Sequence, residues 1–184
     1  MVISNADVVA AFERMLMAYV PRVGWSAPSK MQVLSLGCGT GLEVQALLNY
    51  FGKDLSYVGI DNSEEKISEA RKLHKDILNA RFVCGDAARL DSYLSSPVDL
   101  LLARHTFALT HVLEWRTIFL SAHRVTKTNS LLIGTALMDP EYSALEKVVL
   151  AAGFRKSQVS GLNEQAIQIT PDVGYDRNIL FAFA

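Results

Sequence analysis

The chain has 184 residues, half of them apolar, and its 18 basic against 19 acidic side chains leave a formal net charge of -1. That is enough apolar material for one buried core and excludes disorder, while the balanced charge offers no bulk attraction to nucleic acid or to an anionic membrane surface. No uncharged apolar run approaches the roughly 18 residues needed to span a bilayer, and the first residues have neither a basic nor an apolar leader region, so a cytoplasmic protein is expected.

Residues 6–20 place Val8, Phe12, Met15, Leu16 and Tyr19 at helical spacing, with Ser4, Asn5 and Asp7 offering cap chemistry and Pro21 expected to stop the helix. The pattern then switches: 32–36 reads as a short apolar strand, 42–51 as a helix, 56–60 as a strand and 63–78 as a charged amphipathic helix. A strand at 81–84, a short helix near 88–94, the strand 98–103 and a helix across 111–124 repeat the unit. Residues 130–136 form the next strand and 141–152 the next helix, ended by Gly153. Apolar strands alternating with helices predict a mostly parallel sheet covered on both faces, an α/β doubly wound fold in a single domain. Residues 154–159 and 178–184 both look like strands with no helix between them, which predicts an antiparallel pair. The stretch 163–177 is a long connection for a hairpin; 166–170 has strand character within it, and Pro171 and Gly174 look like turns.

In an open α/β sheet, ligands bind beyond the carboxyl ends of the strands, so the residues that follow each strand carry the functional reading. Gly37, Cys38, Gly39, Thr40 and Gly41 follow the first. Glycines there permit positive φ and remove side chains, so a ligand can lie against backbone N–H groups at a helix start; a tight bend alone would ask for the same residues. The second strand ends in Asp61, 20 residues beyond Gly41, the separation at which a carboxylate meets the ribose of a bound nucleoside. Capping of the next helix is the competing role, and Ser63 is available to fill it. Asp86 and Ala87 follow the third strand, where the carboxylate could accept from the amine of adenine or cap the next short helix. The fourth strand leads into Arg104, His105 and Thr106. His105 is the candidate base, a loop histidine being the plainer account, and His74, His111 and His123 read as helix-surface residues. Cys38 and Cys84 lack C-x-x-C or Cys/His spacing, so neither a disulfide framework nor a metal site is expected.

Together, L-S-L-G-C-G-T-G, V-G-I-D, V-C-G-D-A and V-D-L-L-L-A-R-H at successive strand ends resemble the class I S-adenosylmethionine-dependent methyltransferases, over residues 32 to about 154. The resemblance implies S-adenosyl-L-methionine as cofactor and a Rossmann-like, seven-stranded sheet of order 3-2-1-4-5-7-6 with an antiparallel last strand and an N-terminal lid helix at about 6–20. It implies that Gly37, Cys38, Gly39 and Gly41 face the methionine and ribose and that Asp61 binds the ribose hydroxyls. Asn62 would then flank the adenine, Asp86 accept from its amine, Ala87 offer a backbone N–H, and Arg104 complete the cofactor-binding set. The family commonly carries an acid two positions before the first glycine; here Ser35 stands there, and Glu43 is the residue that could compensate. The absence of N-P-P-Y or D-P-P-Y after the fourth strand demotes nucleobase and glutamine amines as acceptors. A dinucleotide oxidoreductase would carry G-x-G-x-x-G, and Gly41 is followed instead by Leu42, Glu43 and Val44.

The expected activity is methyl transfer to an oxygen or nitrogen of a small-molecule acceptor by direct displacement. Positioning alone can supply about 7 to 11 kcal/mol of barrier reduction, which makes a base optional; His105 is the candidate where the acceptor must lose a proton. The opening helix with Tyr19 and Trp25, and residues 104–115, are the expected walls of an acceptor pocket. Phe107, Leu109 and Trp115 would line it and suit a partly apolar acceptor, ordinary helix core being the alternative. A non-catalytic nucleoside-binding protein or partner subunit is the second class, motivated by Ser35; aminopropyl transfer lacks the acids it would need after the fourth strand. The exposed face of the opening helix could meet a second copy, giving a homodimer, or a protein substrate.

Overall fold

The computed structural model describes residues 4–170 and 174–184; for 161–170 and 174–177 the description is of the backbone. Ser4 and Asp7 cap helix α1 (Asn5–Val23) reciprocally: the Ser4 hydroxyl accepts from the Asp7 N–H at 3.3 Å and the Asp7 carboxylate accepts from the Ser4 N–H at 3.1 Å. Pro21 does not stop this helix as expected. It sits in the last turn, where the bond its missing N–H would have made is one of the least costly to lose, and Gly24 at φ 74° ends the helix.

Five parallel strands follow: β1 (Met31–Leu36), β2 (Leu55–Asp61), β3 (Ala80–Cys84), β4 (Val98–Arg104) and β5 (Thr126–Ala136), in the order β3-β2-β1-β4-β5. Between them run α2 (Glu43–Phe51), α3 (Glu64–Leu73), a 3-10 helix (Ala87–Ser92) and α4 (Val112–Val125), with α5 (Asp139–Ala151) after β5. The register brings the strand ends level, with Leu36 beside both Ile60 and Ala103, Asp61 beside Cys84, and Arg104 beside Thr135. The segments that follow these strands therefore emerge along one edge of the sheet.

The last part departs from the expected elements. Only Arg155–Lys156 (β6) of the expected strand at 154–159 pairs, and the connection at 163–177 is largely strand: β7 (Gly161–Thr170) and β8 (Gly174–Phe183). Pro171 lies outside the described residues, and Gly174 opens β8. β8 runs antiparallel to β5, and its other edge carries both β6 and β7, with Arg155 opposite Phe183 and Gly161 opposite Ile179. β6 and β7 are thus one interrupted edge strand, and the sheet has the 3-2-1-4-5-7-6 order with an antiparallel last strand. The interruption has a side-chain cause: the Ser160 hydroxyl donates to the Phe181 carbonyl at 2.6 Å and accepts from the Phe181 N–H at 2.8 Å, taking over a backbone position in the ladder.

Alternation along the strands feeds two apolar layers. Leu100, Leu102, Leu131 and Ile133 pack toward α1, α2 and α3, against Phe12, Met15, Val44 and Ile67. Leu101, Ala103 and Leu132 pack toward α4 and α5, against Phe119, Leu145 and Val149. Each fully buried aliphatic side chain of this kind is worth about 1.5 to 3 kcal/mol, which is why strand runs apolar on both faces specify a two-layered cover. Among the described residues, no helix is long and apolar enough to cross a membrane.

Candidate cofactor site

The turn from β1 into α2 holds Gly37, Gly39 and Gly41 at φ 62°, 55° and 69°, in the left-handed region that L side chains rarely adopt. At Gly41 a Cβ would lie 2.3 Å from Cε1 of Phe82, so the absent side chain is also a packing requirement. The turn's donors are largely committed within the protein. Cys38 N–H bonds the Ile60 carbonyl at 3.0 Å, Gly39 N–H the Asp61 Oδ2 at 2.8 Å, and Gly41 N–H the Cys38 carbonyl at 2.8 Å. These three N–H groups are thus spent on the protein itself, and the glycines supply shape and close approach at the turn. The Cys38 thiol is buried under the turn near Gly59, and burial together with the Glu43 and Asp61 carboxylates pushes its pKa well up, so it remains a neutral filler.

Asp61, only 8% exposed, ends β2 and ties two segments together, since its Oδ1 accepts from the Ser63 N–H at 2.9 Å while Oδ2 holds Gly39. The cap of α3 is made by the Ser63 hydroxyl, which accepts from Lys66 N–H at 3.4 Å and leaves Asp61 for another role. Each Asp61 oxygen keeps further acceptor capacity. The carboxylate lines a cleft of about 590 Å³ whose wall also includes Gly37, Asn62, Asp86, Ala87 and Trp115. Asp86 does cap the 3-10 helix, accepting from Ala88 N–H at 2.8 Å, and as an exposed carboxylate it retains a face for the cleft.

Cys38, Gly39, Gly41 and Arg104 are not part of that lining. Arg104 sits on the α1 side of the sheet, its guanidinium 4.3 Å from the centre of the Phe12 ring and Nη1 4.0 Å from Glu43 Oε2. Glu43, 5% exposed at the start of α2, accepts at Oε1 from the Ser35 hydroxyl at 2.5 Å and from the Tyr57 hydroxyl at 2.7 Å. Burial, with the Glu43 charge beside it, holds the Tyr57 pKa well above its ordinary value, so the phenol stays a donor. Ser35, where the family's acid was looked for, thus points its hydroxyl at an acid arriving from the next helix.

Residues 33–129, more than half of the chain, match the family model described as a methyltransferase domain. The chain belongs to the class I S-adenosylmethionine-dependent methyltransferases. It is 36% identical over 83 residues to the malonyl-[acyl-carrier protein] O-methyltransferase of Bacillus anthracis, a match covering 45% of this chain and 29% of that protein. It is 37% identical over 73 residues to the carboxy-S-adenosyl-L-methionine synthase of Helicobacter pylori strain G27, covering 40% of this chain and 30% of that protein. The matches thus span less than a third of the length of these curated relatives. Aeropyrum pernix fibrillarin, solved with natively bound S-adenosyl-L-methionine, shares the fold at a TM-score of 0.65 and 15% identity, over 91% of this chain and 74% of that one. The cleft fits the family's cofactor on its own geometry, with Asp61 at the end of β2, Asp86 just beyond β3, Trp115 as an aromatic wall, and Gly37 bringing the β1 turn to its edge without a side chain.

The residues expected to wall an acceptor pocket depart from expectation in two places. Trp115 lines the cofactor cleft, its Cη2 3.7 Å from where a Gly37 Cβ would be, while Phe107 is 60% exposed and Leu109 is also exposed, so neither is helix core. Tyr19 packs on Phe181, and Trp25 packs edge-on to Phe51 and borders a cavity with Asp99, Lys127 and Arg155 at the opposite end of the sheet; neither is an acceptor wall. His105, half-buried after β4, has φ 51° and donates its backbone N–H to the Thr135 carbonyl at 3.0 Å.

Two of the histidines read as surface residues are not. His123 sets its ring edge-on against Phe154 at 4.9 Å, and His74 is buried, with Nε2 3.0 Å from the Thr40 carbonyl. The missed signal for His74 was its place where α3 ends; the long expected helix 63–78 made it look like a mid-helix surface position.

Proposed function

We propose that the protein transfers the methyl group of S-adenosylmethionine to an oxygen or nitrogen of a small, partly apolar acceptor, in the cytoplasm. The observation that supports the reading is the cleft in which the Asp61 carboxylate, anchored by Gly39 and Ser63, stands beside Gly37 of the glycine turn. Asp61 would accept from the ribose hydroxyls with its remaining lone pairs, and charge-assisted bonds of that kind contribute about 1.5 to 3 kcal/mol each. Asp86 and Ala87 would meet the amine edge of the adenine, with Asn62 and Trp115 as its walls. When bound, the sulfonium supplies an electrophilic methyl group; the chain's own work is to align the acceptor and exclude water.

Glu43 takes the part of the acid that Ser35 does not supply. Ser35 and Tyr57 fix one of its oxygens, and the other faces the Arg104 guanidinium. On the acceptor side, Phe107 and Leu109 stand exposed after β4, next to His105, which would take a proton from an acceptor that must lose one. The relative named for O-methylation of malonyl-acyl-carrier protein favours an oxygen nucleophile. Ser35 also favours a second reading, a cofactor-binding partner subunit without turnover.

Calorimetric titration with S-adenosylmethionine and S-adenosylhomocysteine tests the cofactor assignment. Binding that Asp61→Ala weakens by about tenfold, or about 1.4 kcal/mol, is expected; no binding by the folded chain would sink the reading. Transfer of a labelled methyl group to components of a small-molecule extract separates the enzyme from the partner subunit.

A further inference from the structure

We infer that His74 is a positioning residue for the cofactor turn, acting through the Thr40 carbonyl. The inference rests on the cofactor reading of the cleft given above. Three glycines in the left-handed region are the most permissive backbone available, so the geometry of residues 37–41 has to be imposed by groups outside the turn. Asp61 supplies one such restraint by accepting from Gly39 N–H at 2.8 Å. His74 supplies another on the next residue along, 3.0 Å from the Thr40 carbonyl. A carbonyl only accepts, so Nε2 carries the hydrogen, and the neutral ring suffices.

The histidine is itself held in place. Its ring stacks on Phe82 with centroids 5.3 Å apart and planes 22° apart, and Phe82 occupies the volume that a side chain on Gly41 would need. One helical turn earlier, Arg71 donates Nε and Nη2 to the Phe82 carbonyl at 3.1 and 2.9 Å. Residues three apart share a helix face. The end of α3 therefore grips β3 with Arg71 and the glycine turn with His74. Without the His74 donor, the turn keeps its Asp61 anchor at Gly39 but loses the restraint on Thr40. The Asp61 carboxylate keeps its bond from Ser63 N–H, but the Gly39 N–H that it also holds moves with the turn and can draw it off place.

The test is calorimetric titration of S-adenosylhomocysteine and S-adenosylmethionine into the wild-type chain, His74→Phe and His74→Gln, with melting curves for each. Phenylalanine keeps the stacked ring and loses the donor; glutamine loses the ring and keeps a donor of similar reach. His74→Phe is expected to bind both ligands about tenfold more weakly, because binding must then order a turn that has lost its restraint at Thr40, while His74→Gln stays within about threefold of wild type. Equal binding by His74→Phe and wild type overturns the inference alone, as does equal weakening in both variants. A variant that fails to fold assigns His74 to the core and also overturns it. A folded wild-type chain that binds neither ligand overturns the cofactor reading, and this inference with it.

Discussion

The two halves of the strand-end edge are built on opposite plans. Beyond β1, β2 and β3, polar groups are bonded to the chain itself: Asp61 to Gly39 and Ser63, Asp86 to Ala88, Glu43 to Ser35 and Tyr57, and His74 to Thr40. Beyond β4, apolar side chains stand in solvent, with Phe107 at 60% and Leu113 at 78% exposure. A site for a nucleoside needs a few polar atoms at fixed places, and fixing them before binding reduces the ordering that binding must impose. The half beyond β4 leaves apolar area open, which a ligand or partner can cover.

The contrast is open to attack from its strongest point downward. Gly41→Ala meets Phe82 and a φ of 69° together, and should lower the free energy of unfolding by about 2 to 4 kcal/mol in chemical denaturation. Adding Phe82→Leu should recover the packing part and leave the backbone part; full stability in Gly41→Ala would mean the turn is softer than described. Glu43→Gln keeps an acceptor oxygen for Ser35 and Tyr57 but removes the charge facing Arg104. A loss of about 1 to 3 kcal/mol is expected, and an unchanged denaturation midpoint would show that the buried acid is dispensable.

On the exposed side, Phe107→Ser with Leu113→Ser should change unfolding free energy by less than about 0.5 kcal/mol while altering which acceptors are methylated. Altered stability with unchanged acceptor preference would reverse the assignment of the two halves. The smallest effect concerns pH. Burial holds the His74 pKa below its ordinary 6.5, so the unfolded chain takes up the proton more readily than the folded one. The stability associated with the neutral ring is full above that value and is lost as pH falls through the folded pKa. His74→Phe should flatten this part of the stability curve, and an unchanged slope between the two proteins would remove His74 as its source.

Legibility followed the range of the forces involved. Parallel strands β1 to β5 and their helices were readable because continuous apolar runs, cap residues and glycine stops are local signals, and Asp61 was readable because its spacing from the glycine turn is local too. The edge strand was not. Asn163, Glu164 and Gln165 give it a polar start, and the Ser160 exchange with Phe181 depends on a strand about 20 residues away. Trp25 was misplaced for a similar reason: its sequence position says nothing about which end of the sheet the chain reaches before β1.

By itself, the sequence determined the doubly wound class, the glycine turn, the carboxylate that ends β2 and the one just beyond β3, because periodicity, φ tolerance and strand-end position are properties of short segments. Tertiary structure alone decided that the N–H groups of Cys38, Gly39 and Gly41 are spent inside the protein, that Ser35 meets an acid from α2, and that His74 reaches Thr40. Those contacts join residues whose neighbourhood is created only when strands align and helices pack across them, and no local pattern encodes that distance.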